Sequence, residues 1–132
     1  FPFYLSYYNE FVGIANGHYY IVDSNYDWGQ DLKRLRDLVQ SDSLFVNKKI
    51  YFDYFGGGSP AYYFENHYEP GWSRKGPPLP GSYFAISVTL LRGSQGNPVR
   101  GIVIDPQDSY PWLRGLEPIR RAGTSIFIYR IP

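Results

Sequence analysis

Between residues 32 and 39 the apolar side chains Leu32, Leu35, Leu38 and Val39 recur at helical spacing. Lys33, Arg34, Arg36 and Asp37 fill the positions between them, with Lys33 and Asp37 one turn apart. This stripe predicts an amphipathic helix over about residues 28–40, with Asp27 as its N-cap and Gln30 in the reciprocal position of a capping box. A helix with one apolar stripe needs an apolar surface to cover. The β-branched and aromatic run HYYIV at residues 18–22 predicts a strand before it. The helix and this strand point to an α/β architecture.

The rest of the chain repeats the alternation. Residues 49–55 (KIYFDYF) predict a strand ended by three glycines, and Ser59-Pro60 then reads as an N-cap with proline at the first position of a short helix to about residue 66. Four prolines and three glycines between residues 68 and 81 predict an irregular loop. Residues 82–91 (SYFAISVTLL) are apolar almost throughout, as expected of a central strand covered on both faces. Residues 99–104 add a short edge piece. Residues 111–121 read as helix in two parts, broken by Pro118, with Gly123 as its C′ residue. Residues 125–131 (SIFIYRI) form a last strand. The expected fold is one α/β domain over 1–132: a small sheet of four to five strands with flanking helices, in two or three layers.

Composition narrows the chemistry. The chain has no cysteine, so disulfides and thiolate chemistry are excluded. A net charge of +1 supplies no field for nucleic acid, and two histidines are too few for a histidine-only metal site. No run of about 18 apolar residues spans a membrane. Aromatic residues make up 20% of the chain, which fits either a ring-built core or surfaces part apolar and part wet. The aromatic run at residues 1–8, with no initiator methionine, reads as the interfacial belt beyond a membrane helix of a longer protein.

The candidate site is DSNYDWGQDL at residues 23–32, in the expected strand-to-helix turn, where open α/β sheets place ligands. Asp23, Ser24, Asn25, Asp27, Trp28, Gln30 and Asp31 offer hydroxyl-binding carboxylates and amides beside an indole face, which suits a sugar or polyol. A calcium site lacks the spacing of the twelve-residue loop, and three carboxylates repel a phosphate despite the helix dipole. The same residues also serve as caps and Asx turns, with Trp28 in the core. Asn9 and Glu10 form a secondary candidate. Glu10, Asp23 and Asp27 include the carboxylates a glycoside hydrolase would need. Tyr83, Phe84, Trp72 and Trp112 are candidates for lining a groove. Arg114, Arg120 and Arg121 can pair with carboxylates or bind an anionic group. The residues point to no cofactor and no metal.

The segments LSYYNEFVG (5–13), NGHYYIVDSNYDWGQDLKRL (16–35), YFGGGSPAYY (54–63), GSYFAISVTLLRG (81–93) and WLRGLEPIRRAGTSIFIYRI (112–131) resemble, in order, the extracytoplasmic tail of bacterial polytopic C-type glycosyltransferases, relatives of the dolichyl-phosphate-mannose–protein mannosyltransferases. The resemblance implies a parent enzyme that takes sugar from a polyprenyl-phosphate donor. It implies a tail tethered to the membrane through upstream helices, with glycan or lipid-linked sugar as its partner. The catalytic acid of that superfamily lies in a loop with no counterpart here, so no catalytic residue is carried over. The expected function is a non-catalytic accessory domain that positions acceptor or donor. The alternatives are a free-standing carbohydrate hydrolase and a tyrosine-rich protein-interaction module, for which Tyr62 and Tyr63 are the candidate contacts.

Overall fold

The computed structural model of the chain describes residues 7, 11–20, 26–94 and 105–132. Among these, five strands form one open mixed sheet in the order β2-β1-β3-β5-β4: β1 (Ile50–Asp53), β2 (Tyr68–Pro70), β3 (Tyr83–Ser87), β4 (Arg120–Ala122) and β5 (Ile126–Arg130). β1 runs parallel to β2 and β3, whereas β5 is antiparallel to both β3 and β4. With helices α1 (Gly13–Asn16), α2 (Leu32–Ser41), α3 (Pro60–Phe64) and α4 (Val88–Gly93), the fold is α/β.

Every residue of β3 is buried, as its uniformly apolar sequence requires of a middle strand. Alternation along the strands then divides the core into two. Tyr83 and Ala85 of β3, with Ile126 and Ile128 of β5, face α2 and α3 and pack on Leu32, Leu35 and Phe64. Phe84, Ile86, Phe127 and Tyr129 face the other way, against Val88, Leu91, Tyr110 and Leu113. The apolar stripe of α2 is thus covered by one face of the sheet, and rings fill much of both cores. Phe45 meets Tyr83 edge-on at 5.0 Å, and Phe84 meets Trp112 at 4.7 Å. The sheet's edges are blunted by Pro70 on β2 and by Arg120 and Arg121 on β4.

Several local expectations change. Gly17–Tyr19 is a 3₁₀ turn, not a strand, because the His18 ring folds inward against Phe127 and Tyr26. Residues 21–25 lie outside the described residues, as does the edge piece expected at 99–104. The helix expected from residue 28 starts at Leu32, after a turn closed by side chains. The expected loop at 68–81 contains β2, paired in register with β1. β3 ends at Ser87, where the backbone turns into α4 and uses Val88 and Leu91 as its buried face. The segment 111–121 is no helix: a 3₁₀ turn at Pro111–Leu113 leads to β4, and Gly123 sits in the β4–β5 turn, not at a helix end.

Gly123 has φ +58°, and a Cβ there would run into the Asp31 carboxylate. Gly115 has a similar φ of +79° but open space around it. Gly115→Ala should therefore lose only the strain of a left-handed backbone, about 1 kcal/mol. Gly123→Ala should lose that and more, at least about 2 kcal/mol in all, as the hairpin is pushed off Asp31. Urea unfolding of the two variants measures the difference.

Candidate functional site

The parallel strands β1 and β3 end at Asp53 and Ser87, and β5 begins beside them at Ile126. The turn 26–31 lies across this carboxyl end, the position expected of a ligand crevice in an open α/β sheet. Its geometry shows what each side chain does there.

Asp31 is completely buried. Its Oδ2 accepts the backbone N–H groups of Thr124 at 2.8 Å and Ser125 at 2.9 Å, and its Oδ1 pairs with Arg34. Asp31 occupies the N-cap position of α2, but its carboxylate makes no capping bond to the helix backbone and reaches the β4–β5 turn instead. Asp27 is also wholly buried. Its Oδ1 accepts the Gly29 N–H at 2.8 Å, an Asx turn in place of the expected N-cap. The Asp27 carboxyl faces the Ser125 and Thr89 hydroxyls, and burial pushes its pKa up to about 6, reinforced by the neighbouring Asp31 charge. Gln30 bridges the turn: its Oε1 accepts the Trp28 N–H at 2.8 Å, and its Nε2 donates to the Tyr26 carbonyl. Tyr26 is buried with its hydroxyl close to the Ile14 and Thr124 carbonyls.

The Tyr54 hydroxyl donates to the Gly29 carbonyl at 3.2 Å and also reaches the Gly57 carbonyl. Gly29 has φ +80°, and its backbone lies so close to Gly56 and Tyr54 that any Cβ would collide with the hydroxyl. The glycines after β1 are therefore the contact surface for the turn. Ser59 occupies the N-cap position of α3 as expected, without a side-chain capping bond.

Trp28 is the exception within the turn, at 59% exposed. It does not pack into the core. Of the candidate residues, the structure brings Asp27, Trp28, Gln30 and Asp31 together. Asp23, Ser24, Asn25, Asn9 and Glu10 lie outside the described residues. The four candidate groove aromatics do not meet: Tyr83 lies in the core beneath α2, Phe84 and Trp112 pack in the opposite core, and Trp72 stands exposed with the Lys75 ammonium 3.7 Å above its ring. Arg120 binds Asp42 at the end of α2. At the end of β1, Tyr110 donates to Asp53, whose carboxyl is held above the usual range by burial. Among the described residues no group of three or more His, Asp or Glu is arranged to hold a metal ion.

No protein-family model matches the chain, and comparison with curated proteins and with solved structures likewise brings no match.

Two outcomes follow from the buried carboxylates. Asp31→Ala leaves the Thr124 and Ser125 amides buried without acceptors and should cost roughly 2–4 kcal/mol in urea unfolding. The second concerns pH. The folded chain holds the Asp27 proton more tightly than the unfolded chain does, so the Asp27 contribution is favourable below pH 4 and is lost as pH rises through about 6. His18 works in the opposite sense. Burial, with Arg92 and Arg121 nearby, lowers its pKa to about 4, so stability is lost when pH falls below the ordinary histidine value. Relative to the parent chain, Asp27→Asn should gain stability between pH 4 and 7, on the order of 3 kcal/mol. His18→Phe should show the reverse trend over that interval.

Proposed function

We propose that this domain is a non-catalytic accessory lobe of a membrane glycosyltransferase that draws on a polyprenyl-phosphate-linked sugar. In this reading it sits on the extracytoplasmic side and touches glycan or lipid-linked sugar through the surface around Trp28. The parent enzyme class rests on the sequence resemblance through the segments 5–13, 16–35, 54–63, 81–93 and 112–131. One observation carries the contact role: in the turn 26–31 both carboxylates are fully buried on backbone amides, while the indole between them is 59% exposed.

The arrangement supports holding over reaction. Glycoside hydrolysis needs two carboxylates flanking a sugar ring. The carboxylates of Asp27 and Asp31 open onto no such space. What the turn offers a carbohydrate is a flat π-face on a rigid mount. The C–H-bearing face of a pyranose is apolar and lies well on the electron-rich face of an indole. The mount is stiff because Gly29, Gln30 and Tyr54 fix the backbone on both sides of Trp28.

Titration of the ¹⁵N-labelled chain with mannose, glucose and N-acetylglucosamine oligomers, and with a short-chain polyprenyl-phosphate sugar, tests the contact. Shifts should centre on the Trp28 indole, Gly29 and Gln30, and Trp28→Ala should abolish them without changing the unfolding midpoint. Silence at these signals with every probe would reject the contact role. For the parent class, the genomic reading frame upstream of Phe1 should encode a series of hydrophobic spans.

A further inference from the structure

The two fully buried carboxylates of the turn 26–31 are treated unequally by the fold. Asp31 has two backbone amides on one oxygen and Arg34 on the other. Asp27 has a single amide, that of Gly29, on its Oδ1. Its Oδ2 is buried without a hydrogen-bond partner among the described residues, and so is the Oγ of Ser125, which the carboxyl faces. No lysine or arginine among the described residues pairs with Asp27. Around it stand the Thr89 hydroxyl from α4, the Tyr54 phenol after β1 and the Asp31 carboxylate at the start of α2. An ionised Asp27 would thus have a like charge beside it and no cation. The hydroxyls offset only part of that cost, and burial first, then Asp31, pushes its pKa up to about 6.

The backbone offers a way to relieve an ionised Asp27. Gly29, at φ +80°, lies between two fixed residues, the buried Tyr26 and Asp31. Residues 27–29 are held inward by hydrogen bonds made singly. The Gly29 N–H donates to Asp27, the Tyr54 hydroxyl donates to the Gly29 carbonyl, and the Trp28 N–H donates to Gln30. The Trp28 indole belongs to neither hydrophobic core. Turning Asp27 out to water therefore breaks hydrogen bonds of the turn alone. The amides that Asp31 holds come from the β4–β5 turn and are untouched.

We propose that the turn 26–31 is a proton-operated latch: with Asp27 protonated it holds Trp28 in one pose, and loss of that proton swings residues 27–29 outward about Gly29 while Asp31 keeps its hold on the β4–β5 turn. A protonated Oδ2 has a donor to offer the Ser125 Oγ, which satisfies both buried atoms at once. The preference for the proton, from the model value of 3.8 up to about 6, disappears when the turn opens. Ionisation accordingly shifts the balance toward the open turn by up to about a hundredfold. Trp28 presents a fixed face on the acid side of this change and a mobile one on the basic side. A sugar that needs the fixed face binds on the acid side; that consequence rests on the Trp28 contact role, whereas the latch itself does not.

Solution NMR of the ¹⁵N,¹³C-labelled 132-residue chain between about pH 5 and 8 tests the latch without any ligand. Over that interval His18, with a pKa of about 4, stays neutral. The Asp27 carboxyl carbon should titrate above the ordinary carboxylate range, toward pH 6. The Trp28 indole and Gly29 amide should lose order, by ¹⁵N relaxation, with the same midpoint, while the Thr124 and Ser125 amides stay protected from exchange. Asp27→Asn should keep the turn ordered at both ends of the range. His67→Gln, beside Val39 and Gln40 of α2 and away from the turn, should change nothing. Tyr54→Phe removes the hydroxyl that holds the Gly29 carbonyl. It should loosen the turn already at pH 5 and move the Asp27 midpoint down, so it decides the matter if Asp27→Asn does not fold. The latch is overturned if Asp27 of the parent chain titrates in the ordinary carboxylate range or if the turn is equally ordered at every pH. It is equally overturned if Asp27→Asn loosens as the parent does, or if the Thr124 and Ser125 amides open together with the turn. Silence toward sugars at about pH 5, with the turn closed, would reject the Trp28 contact and leave the latch standing.

Discussion

One buried carboxylate fastens the two halves of this fold. Asp31 stands at the start of α2, and both of its oxygens are used: one by the Thr124 and Ser125 amides, the other by Arg34. Burying a charge is costly unless its acceptor sites are filled, and here the two amides on Oδ2 come from the β4–β5 turn, more than ninety residues away in sequence. That turn sets where β5 enters the sheet, and β5 is what joins β4 to β3. The requirement propagates outward. Gly123 must lack a side chain because the carboxylate occupies its Cβ position, and Gly29 must lack one because the same turn presses against Tyr54 and Gly56. The orientation of Trp28 is a consequence of these fixed points.

Polar groups are distributed between two places with opposite electrostatic character. At the carboxyl end of the parallel strands, acidic side chains point inward and meet backbone amides, hydroxyls and the Arg34 guanidinium. On the far face of the sheet, the Arg92 and Arg121 guanidinium groups stand over the rings of Tyr19 and Phe127. A single edge strand serves both sides of the sheet, since Arg120 and Arg121 are neighbours in sequence and face opposite ways.

Much of this architecture could be read from the residues. The stripe Leu32, Leu35, Leu38 and Val39 marks α2, the uninterrupted apolar run marks β3 as interior, and the α/β class follows from their order. The errors share a cause: local pattern says little where long-range partners decide. His18 and its neighbours look like a strand until the histidine ring turns in against Phe127. The segment before β4 reads as a helix broken by Pro118, yet Trp112 and Leu113 sit in a 3₁₀ turn from which they pack on the aromatic core. Residues 68–70 contain a proline, and only pairing along the β1 edge makes them a strand. For the candidate site, sequence located the turn and named its polar residues. It could not tell which carboxylates were buried, since that depends on Thr124 and Ser125.

The position of β5 within the sheet bears on how the chain acquires its structure. During synthesis β1, β2 and β3 can associate as soon as residue 87 is free of the ribosome, but the exposed side of β3 then has no neighbour. Strand β4 cannot fill that place, because in the finished order it contacts only β5. Until residues 126–130 emerge, the most apolar strand of the protein presents an unpaired edge, a state prone to association with other chains. Completion of the fold is therefore a late event that depends on contacts of long sequence separation.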